Sequence, residues 1–185
     1  CKGVSDSDAQ LGRLYEYVMK REKPTVVLWY GDHLPTLGND FGVYASTGTI
    51  TSTTAANWTE EEKYQMFSTP YVVFSNYDTG HEYRADDTPV SPYLLTALMY
   101  DYIGAPETLR SNFLLDLYAH CPVISPYYNL YSEGCDEETR NKYIKLHELL
   151  TYDDLMGEQY LTKKLLPQEQ KQEAYCLKCL QSLER

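Results

Sequence analysis

Residues 25–30, Thr-Val-Val-Leu-Trp-Tyr, are an uncharged run of β-branched and aromatic side chains that ends at Gly31-Asp32-His33-Leu34-Pro35. The run lacks the apolar/polar alternation of a half-solvated strand and fits a strand covered on both faces, as in an α/β sheet flanked by helices. In open parallel α/β sheets the reactive groups gather at the carboxyl ends of the strands, where loops vary while the sheet holds their roots. Asp32 and His33 stand at such an end. A carboxylate beside a neutral imidazole suits one divalent cation, through a charged oxygen and through a nitrogen that zinc or manganese accepts. The same tripeptide also fits a plain loop in which Asp32 caps a turn and His33 hydrogen-bonds locally.

The rest of the chain alternates in the α/β manner at first and turns helical later. Leu11, Leu14, Tyr15, Val18 and Met19 recur at helical spacing and predict a helix from Asp8 to about Lys20, capped by Asp6 or Ser7 and packed beside strand 25–30. Residues 38–57 read as a long Gly-, Thr-, Ser- and Asn-rich loop, either a rim over a substrate or a surface insertion. Thr59 with Glu62 is a capping-box pattern for a short helix through Phe67. Residues 70–75 predict a second strand, closed by the turn residues Asn76 to Gly80. Ser91-Pro92 predicts a helix with Ser91 as N-cap and Gly104 as its stop. Pro106 and Thr108 open the next, to about Ala119, with Leu109, Phe113, Leu114 and Leu117 on one stripe. A further helix covers 137–150, and Leu165, Leu166, Ala174, Leu177, Leu180 and Leu183 place an amphipathic helix in the tail after Pro167.

Five segments in order carry a resemblance to a known family: Ser5 to Gly12, Lys23 to Gly38 with the Gly-Asp-His turn, Thr69 to Asp78, Val90 to Leu95 with Gly104-Ala105-Pro106, and Phe113 to Leu117 with Tyr152 to Tyr160. Together they span roughly four fifths of the chain. The chain resembles the lipoteichoic acid synthase-like, sulfatase-type phosphotransferases of the alkaline phosphatase superfamily. The resemblance implies the C-terminal portion of an alkaline-phosphatase-like sheet flanked by helices, with a more helical end. Residues 1–162 would be the later part of a sulfatase-like catalytic domain, and 163–185 a helical tail outside the family's usual ending.

In that family an Asp-His pair ligates the catalytic metal, so the resemblance implies Asp32 and His33 as ligands of one divalent ion, Mn²⁺ or Mg²⁺ first and Zn²⁺ also admissible. The nucleophilic Thr, Ser or modified Cys and the first acidic ligand belong to earlier strands, and no segment here matches them. The implied activity is transfer of a phosphoglycerol-type headgroup to a cell-envelope lipid or glycan, by a parent anchored upstream at the outer face of a bacterial membrane. Ester hydrolysis of a sulfate or phosphate is the close alternative, and a non-catalytic accessory or binding module is the alternative from another class.

Composition narrows the partners. A net charge of −11 and a pI near 4.7 exclude a nucleic-acid or polybasic membrane surface, which needs clustered Lys and Arg. No apolar run approaches the roughly 20 residues needed to cross a bilayer. Five cysteines cannot all pair within the chain. Cys121 and Cys135 flank a Pro- and Tyr-rich loop and are candidates for a bridge in an oxidising compartment, whereas Cys176 and Cys179 read as neighbours on one helix face. His81 reads as a solvated loop residue, and His120 and His147 as helix-end or surface residues. Asn76 and Asp78 read as turn chemistry. Nineteen tyrosines fit hydrogen-bonded core and loop positions and also leave a carbohydrate-binding surface open.

Overall fold

Strand β1 (Val26–Tyr30) pairs antiparallel with β2 (Tyr71–Ser75), Val26 opposite Ser75 and Tyr30 opposite Tyr71. The computed structural model describes residues 2–83, 88–127 and 135–160, and the tail from 163 with Cys176 and Cys179 lies outside them. Both apolar runs are therefore strands, and the chain is a mixed α/β fold with a small sheet and many helices. Two features differ from expectation. The neighbour of β1 runs antiparallel, and its cover is uneven, with Trp29, Tyr30 and Val72 exposed because the helical core assembles elsewhere.

Helix α1 (Lys2–Met19) starts six residues before the expected point, so Asp6 and Ser7 lie within it and cap nothing. It lies on the sheet through one end only: Val18 is its single buried residue, and Tyr15 meets Phe74 edge-on at 5.3 Å. Asn76 ties the connection from α1 to the sheet. Its side-chain oxygen accepts from the Thr25 N–H at 2.8 Å, and its amide donates to the Arg21 and Lys23 carbonyls at 2.9 and 3.1 Å.

The stretch expected as a long loop is folded. It contains α2 (Gly42–Ser46) and a 3₁₀ turn at Ala55–Asn57, gathered round a small core of Ile50, Trp58 and Met66. Phe41 packs edge-on against Trp58 at 4.9 Å, and the indole N–H donates to the Ser52 carbonyl at 2.6 Å. One buried aromatic thus supplies the apolar anchor that the polar composition hid. Helix α3 (Glu60–Met66) follows with the full capping box: the Thr59 hydroxyl accepts from the Glu62 N–H, and the Glu62 carboxylate accepts from the Thr59 N–H at 2.7 Å. Glu62 also accepts from the Thr51 N–H, so its buried carboxylate closes the folded loop onto the helix.

The main core lies between α4 (Leu95–Tyr102), α5 (Leu109–His120) and α6 (Glu137–Leu155). Leu94, Ala97, Phe113, Leu114, Leu117, Cys121, Tyr143 and Leu150 form it. The α5 stripe is as the spacing predicts, and Thr108 caps that helix by a capping box with Ser111. Gly104, at φ +63°, takes the left-handed conformation that ends α4. Ser91 stands at the N-cap position as expected, its carbonyl accepting from the Leu94 N–H at 2.9 Å, but its side chain makes no cap bond. Its hydroxyl donates to the Ile124 carbonyl and accepts from the Ile124 N–H, at 3.2 and 2.9 Å, so this buried group is claimed by the segment leaving α5 rather than by the 3₁₀ turn Pro92–Leu94 that it precedes. Cys121 and Cys135 are disulfide-bonded, joining the end of α5 to the approach to α6. Among the described residues no helix is long and apolar enough to cross a membrane.

Two measurements check this packing. Leu117 is fully buried, and Leu117→Ala is expected to lower unfolding free energy by about 2–5 kcal/mol in denaturant titration. The Thr59 N–H, followed by Thr51, holds the Glu62 carboxyl below the usual carboxylate range. That stabilisation is present above the unfolded glutamate value of about 4.3 and is lost as pH falls through the depressed folded value. The stability difference between wild type and Glu62→Gln should therefore be largest near neutrality and shrink under acid.

Candidate metal centre

The turn after β1 is held by backbone and by one threonine. The Gly31 N–H donates to the Pro70 carbonyl at 3.2 Å, and the Thr69 hydroxyl donates to the Gly31 carbonyl at 2.7 Å. A Cβ on residue 31 would lie 2.9 Å from the Thr69 Cβ, so only glycine lets the two segments approach this closely. Chain direction beyond β1, and with it the position of Asp32, is thereby set from β2.

Local hydrogen bonds then aim the two donor atoms. Asp32 Oδ1 accepts from the His33 N–H at 2.9 Å, leaving Oδ2 for other partners. His33 Nδ1 lies 2.9 Å from the Leu34 carbonyl oxygen, which can only accept, so Nδ1 carries a proton and, in the neutral ring, Nε2 presents the lone pair. Fixing the tautomer through the far ring nitrogen is how metal-bound histidines are oriented. Nε2 and Oδ2 stand 3.4 Å apart, and the side chains are 74% and 83% exposed. Two donors each about 2.1 Å from one ion, at a tetrahedral angle, are separated by about 3.4 Å, so the pair fits joint ligation of a single cation. Among the described residues no three His, Cys, Asp or Glu side chains form a metal-holding group, and the described part of this turn brings together two donors.

The pair borders a cleft of about 600 Å³. Its walls come from the end of α3 with Phe67, the start of β2, the residues before α4, and the segment 123–127. Phe67 and Tyr127 stack with centroids 4.3 Å apart and planes 17° from parallel. Nothing in sequence spacing joins these segments, and the one available signal was the abundance of tyrosine.

The remaining candidates lie elsewhere. Asp78 accepts from the Gly80 N–H at 2.9 Å, as a turn residue does, and Asn76 serves the connection to α1. Exposed His81 sits against Gly104. His120 Nδ1 lies 2.8 Å from the Asp116 carbonyl at the end of α5, next to the Tyr143 hydroxyl, which donates to the Asp116 carboxylate at 2.7 Å. His147 packs on Tyr93 with ring centroids 4.7 Å apart, and burial, then Arg110, pushes its pKa down.

The role of Gly31 has a built-in control. Gly31→Ala forces the turn against Thr69 and is expected to cost about 1–3 kcal/mol. Gly12→Ala, within α1 and with nothing within 4 Å, is expected to stabilise by up to about 1 kcal/mol, because alanine is the better helix former. Denaturant titration of both variants reads the opposite signs directly.

The sulfatase family model matches residues 1–105, a span holding both strands and the turn that carries Asp32 and His33. Among curated proteins, the "Putative cyclic beta-1,2-glucan modification protein" of Rhizobium meliloti (strain 1021) is 27% identical over 170 residues, 88% of this chain and 26% of its own length. The chain thus spans about a quarter of that relative. No solved structure matches. Matched over more than half its length, and through the sheet and turn that form the candidate metal centre, the chain belongs to the sulfatase family of the alkaline phosphatase superfamily.

Proposed function

We propose that this chain is the C-terminal part of a metal-dependent catalytic domain that transfers a phosphoglycerol-type headgroup to a cell-envelope lipid or glycan. In this reading Asp32 and His33 supply half of the metal site. The observation that carries it is the pair itself: an imidazole nitrogen and a carboxylate oxygen 3.4 Å apart, at a strand end, with the imidazole tautomer set by a backbone carbonyl. Sulfatase membership supports the reaction class, and the name of the Rhizobium relative supports a glycan as substrate.

When bound, a divalent ion, Mn²⁺ or Mg²⁺ first and Zn²⁺ also admissible, lowers the pKa of a nucleophilic hydroxyl and takes up charge on the phosphoryl or sulfuryl oxygens. Asp32 would contribute a carboxylate oxygen, and His33 the Nε2 of a ring held through Nδ1 by the Leu34 carbonyl. The cleft beside them gives a substrate a wall on which to lie while its phosphoryl group faces the pair. The resemblance assigns the nucleophile and the first acidic ligand to earlier strands, and the proposal gives neither role to a residue of this chain. The disulfide between Cys121 and Cys135 supports placement at the outer face of the membrane, since such bonds persist in oxidising compartments.

Hydrolysis of a sulfate or phosphate ester is the second reading, favoured by the high exposure of both donors, which admits water as the acceptor. Identifying the phosphorus-containing products separates the two, since transfer yields a substituted glycan and hydrolysis a free headgroup. The metal assignment has its own check: in the full-length protein, Asp32→Ala and His33→Ala should each lower bound metal at least ten-fold by elemental analysis while thermal unfolding of the metal-free protein is unchanged. Undiminished metal content in both variants would sink it.

A further inference from the structure

We infer that the cleft beside Asp32 and His33 is a subsite for a neutral pyranose ring of the acceptor, an inference that rests on the glycan-directed transferase reading above. Its lining is aromatic and hydroxylic. Tyr30, Tyr64, Phe67, Tyr71, Tyr93 and Tyr127 all face it. Among the described residues of that lining, Asp32 and His33 are the sole acidic or basic side chains, and no Lys, Arg or Glu is present.

That charge pattern selects between acceptors. A growing polyanion such as polyglycerol phosphate brings a negative charge with every unit, and a wall without cations leaves those charges unpaired next to the Asp32 carboxylate. A sugar ring brings no charge. Its C–H faces pack on aromatic rings while its hydroxyls point to the ring edges and to water, the amphipathic pattern that tyrosine matches with a rigid apolar body and a polar tip.

The surface for such packing is already built. Phe67 and Tyr127 stack on each other yet stay 42% and 58% exposed, so the stack is braced from one side and open on the other. Tyr30 and Tyr71 are directly opposite on β1 and β2 and so share one face of the sheet, at the very residue pair that precedes the Gly31 turn. Aromatic platforms therefore approach the metal pair from the α3 side and from the sheet. The ring proposed for this space lies beside the donors, where an acceptor hydroxyl must come to meet a headgroup held at the metal.

The test uses the full-length protein and two probes, a neutral β-linked gluco-oligosaccharide and a polyglycerol phosphate of similar length, with binding read by calorimetry and metal content measured on the same samples. The oligosaccharide should bind more tightly than the polyanion. Tyr127→Ala and the milder Phe67→Leu should each weaken oligosaccharide binding, the first at least ten-fold, and Tyr127→Phe, which keeps the ring, should restore most of it. Octyl β-glucoside below its micelle concentration separates carriers: tighter binding than free glucose marks a lipid-linked sugar and equal binding a soluble glycan, and either sustains the inference. Preference for the polyanion, or unchanged oligosaccharide binding in both ring-removing variants, overturns it. If metal is bound normally while those variants bind sugar as wild type does, the subsite fails and the metal reading stands; if sugar binding is lost in Tyr127→Ala but the wild type holds no metal, the subsite stands and the metal reading fails.

Discussion

The close approach of Gly31 to Thr69 and Pro70 is the contact on which the rest of the site depends. Two hydrogen bonds cross it, and the missing Cβ makes room for them. Through this contact β2 decides where β1 stops and in which direction the chain leaves. Because Thr69 and Pro70 follow directly on α3 and its end at Phe67, the same contact brings one aromatic wall of the cleft beside the Asp-His turn. The donor pair and its neighbouring surface are thus positioned by one junction between segments 38 residues apart.

The opposite wall is held by different means. Segment 121–127 has no regular structure, yet four interactions restrain it: the disulfide at Cys121, the double hydrogen bond between Ser91 and Ile124, the Ser91 N–H to the Pro122 carbonyl at 2.9 Å, and the Arg140 guanidinium donating to the Ser125 carbonyl at 3.0 Å. A buried hydroxyl that both donates and accepts satisfies two backbone groups that would otherwise be stranded, which is worth about 1–3 kcal/mol in avoided desolvation. The Ser91 hydroxyl is spent on this wall, which is why it caps no N–H of the turn that follows.

Local patterns were legible in the sequence, and contacts between distant segments were not. The runs 25–30 and 70–75, the Thr59–Glu62 box and the Leu109–Leu117 stripe are encoded within a few residues, and each forms as its spacing predicts. The antiparallel pairing of the strands depends on how residues 31–70 return, which periodicity does not contain. Residues 38–57 looked like open loop because their composition is polar, and they fold because Trp58, just beyond them, draws Phe41 and Ile50 inward. Asp32 and His33 could be placed at a strand end from the run before them. Their mutual geometry, and the Phe67–Tyr127 stack across the cleft, arise only when the chain closes.

The order Asp-His-Leu-Pro has a physical logic beyond its two donors. A residue preceding proline is driven from the helical region into extended conformations by the ring Cδ. Leu34 is such a residue, so the direction of its carbonyl is restricted before any tertiary contact forms. That carbonyl accepts from His33 Nδ1, and the next one, of Pro35, accepts from the Tyr44 hydroxyl at 2.7 Å, which ties the strand's exit to the folded loop. The imidazole is therefore oriented by backbone whose freedom proline has already reduced. Both side chains are exposed, so the turn carries no buried charge in need of a partner. The geometry of the turn is thus set by contacts within the chain itself.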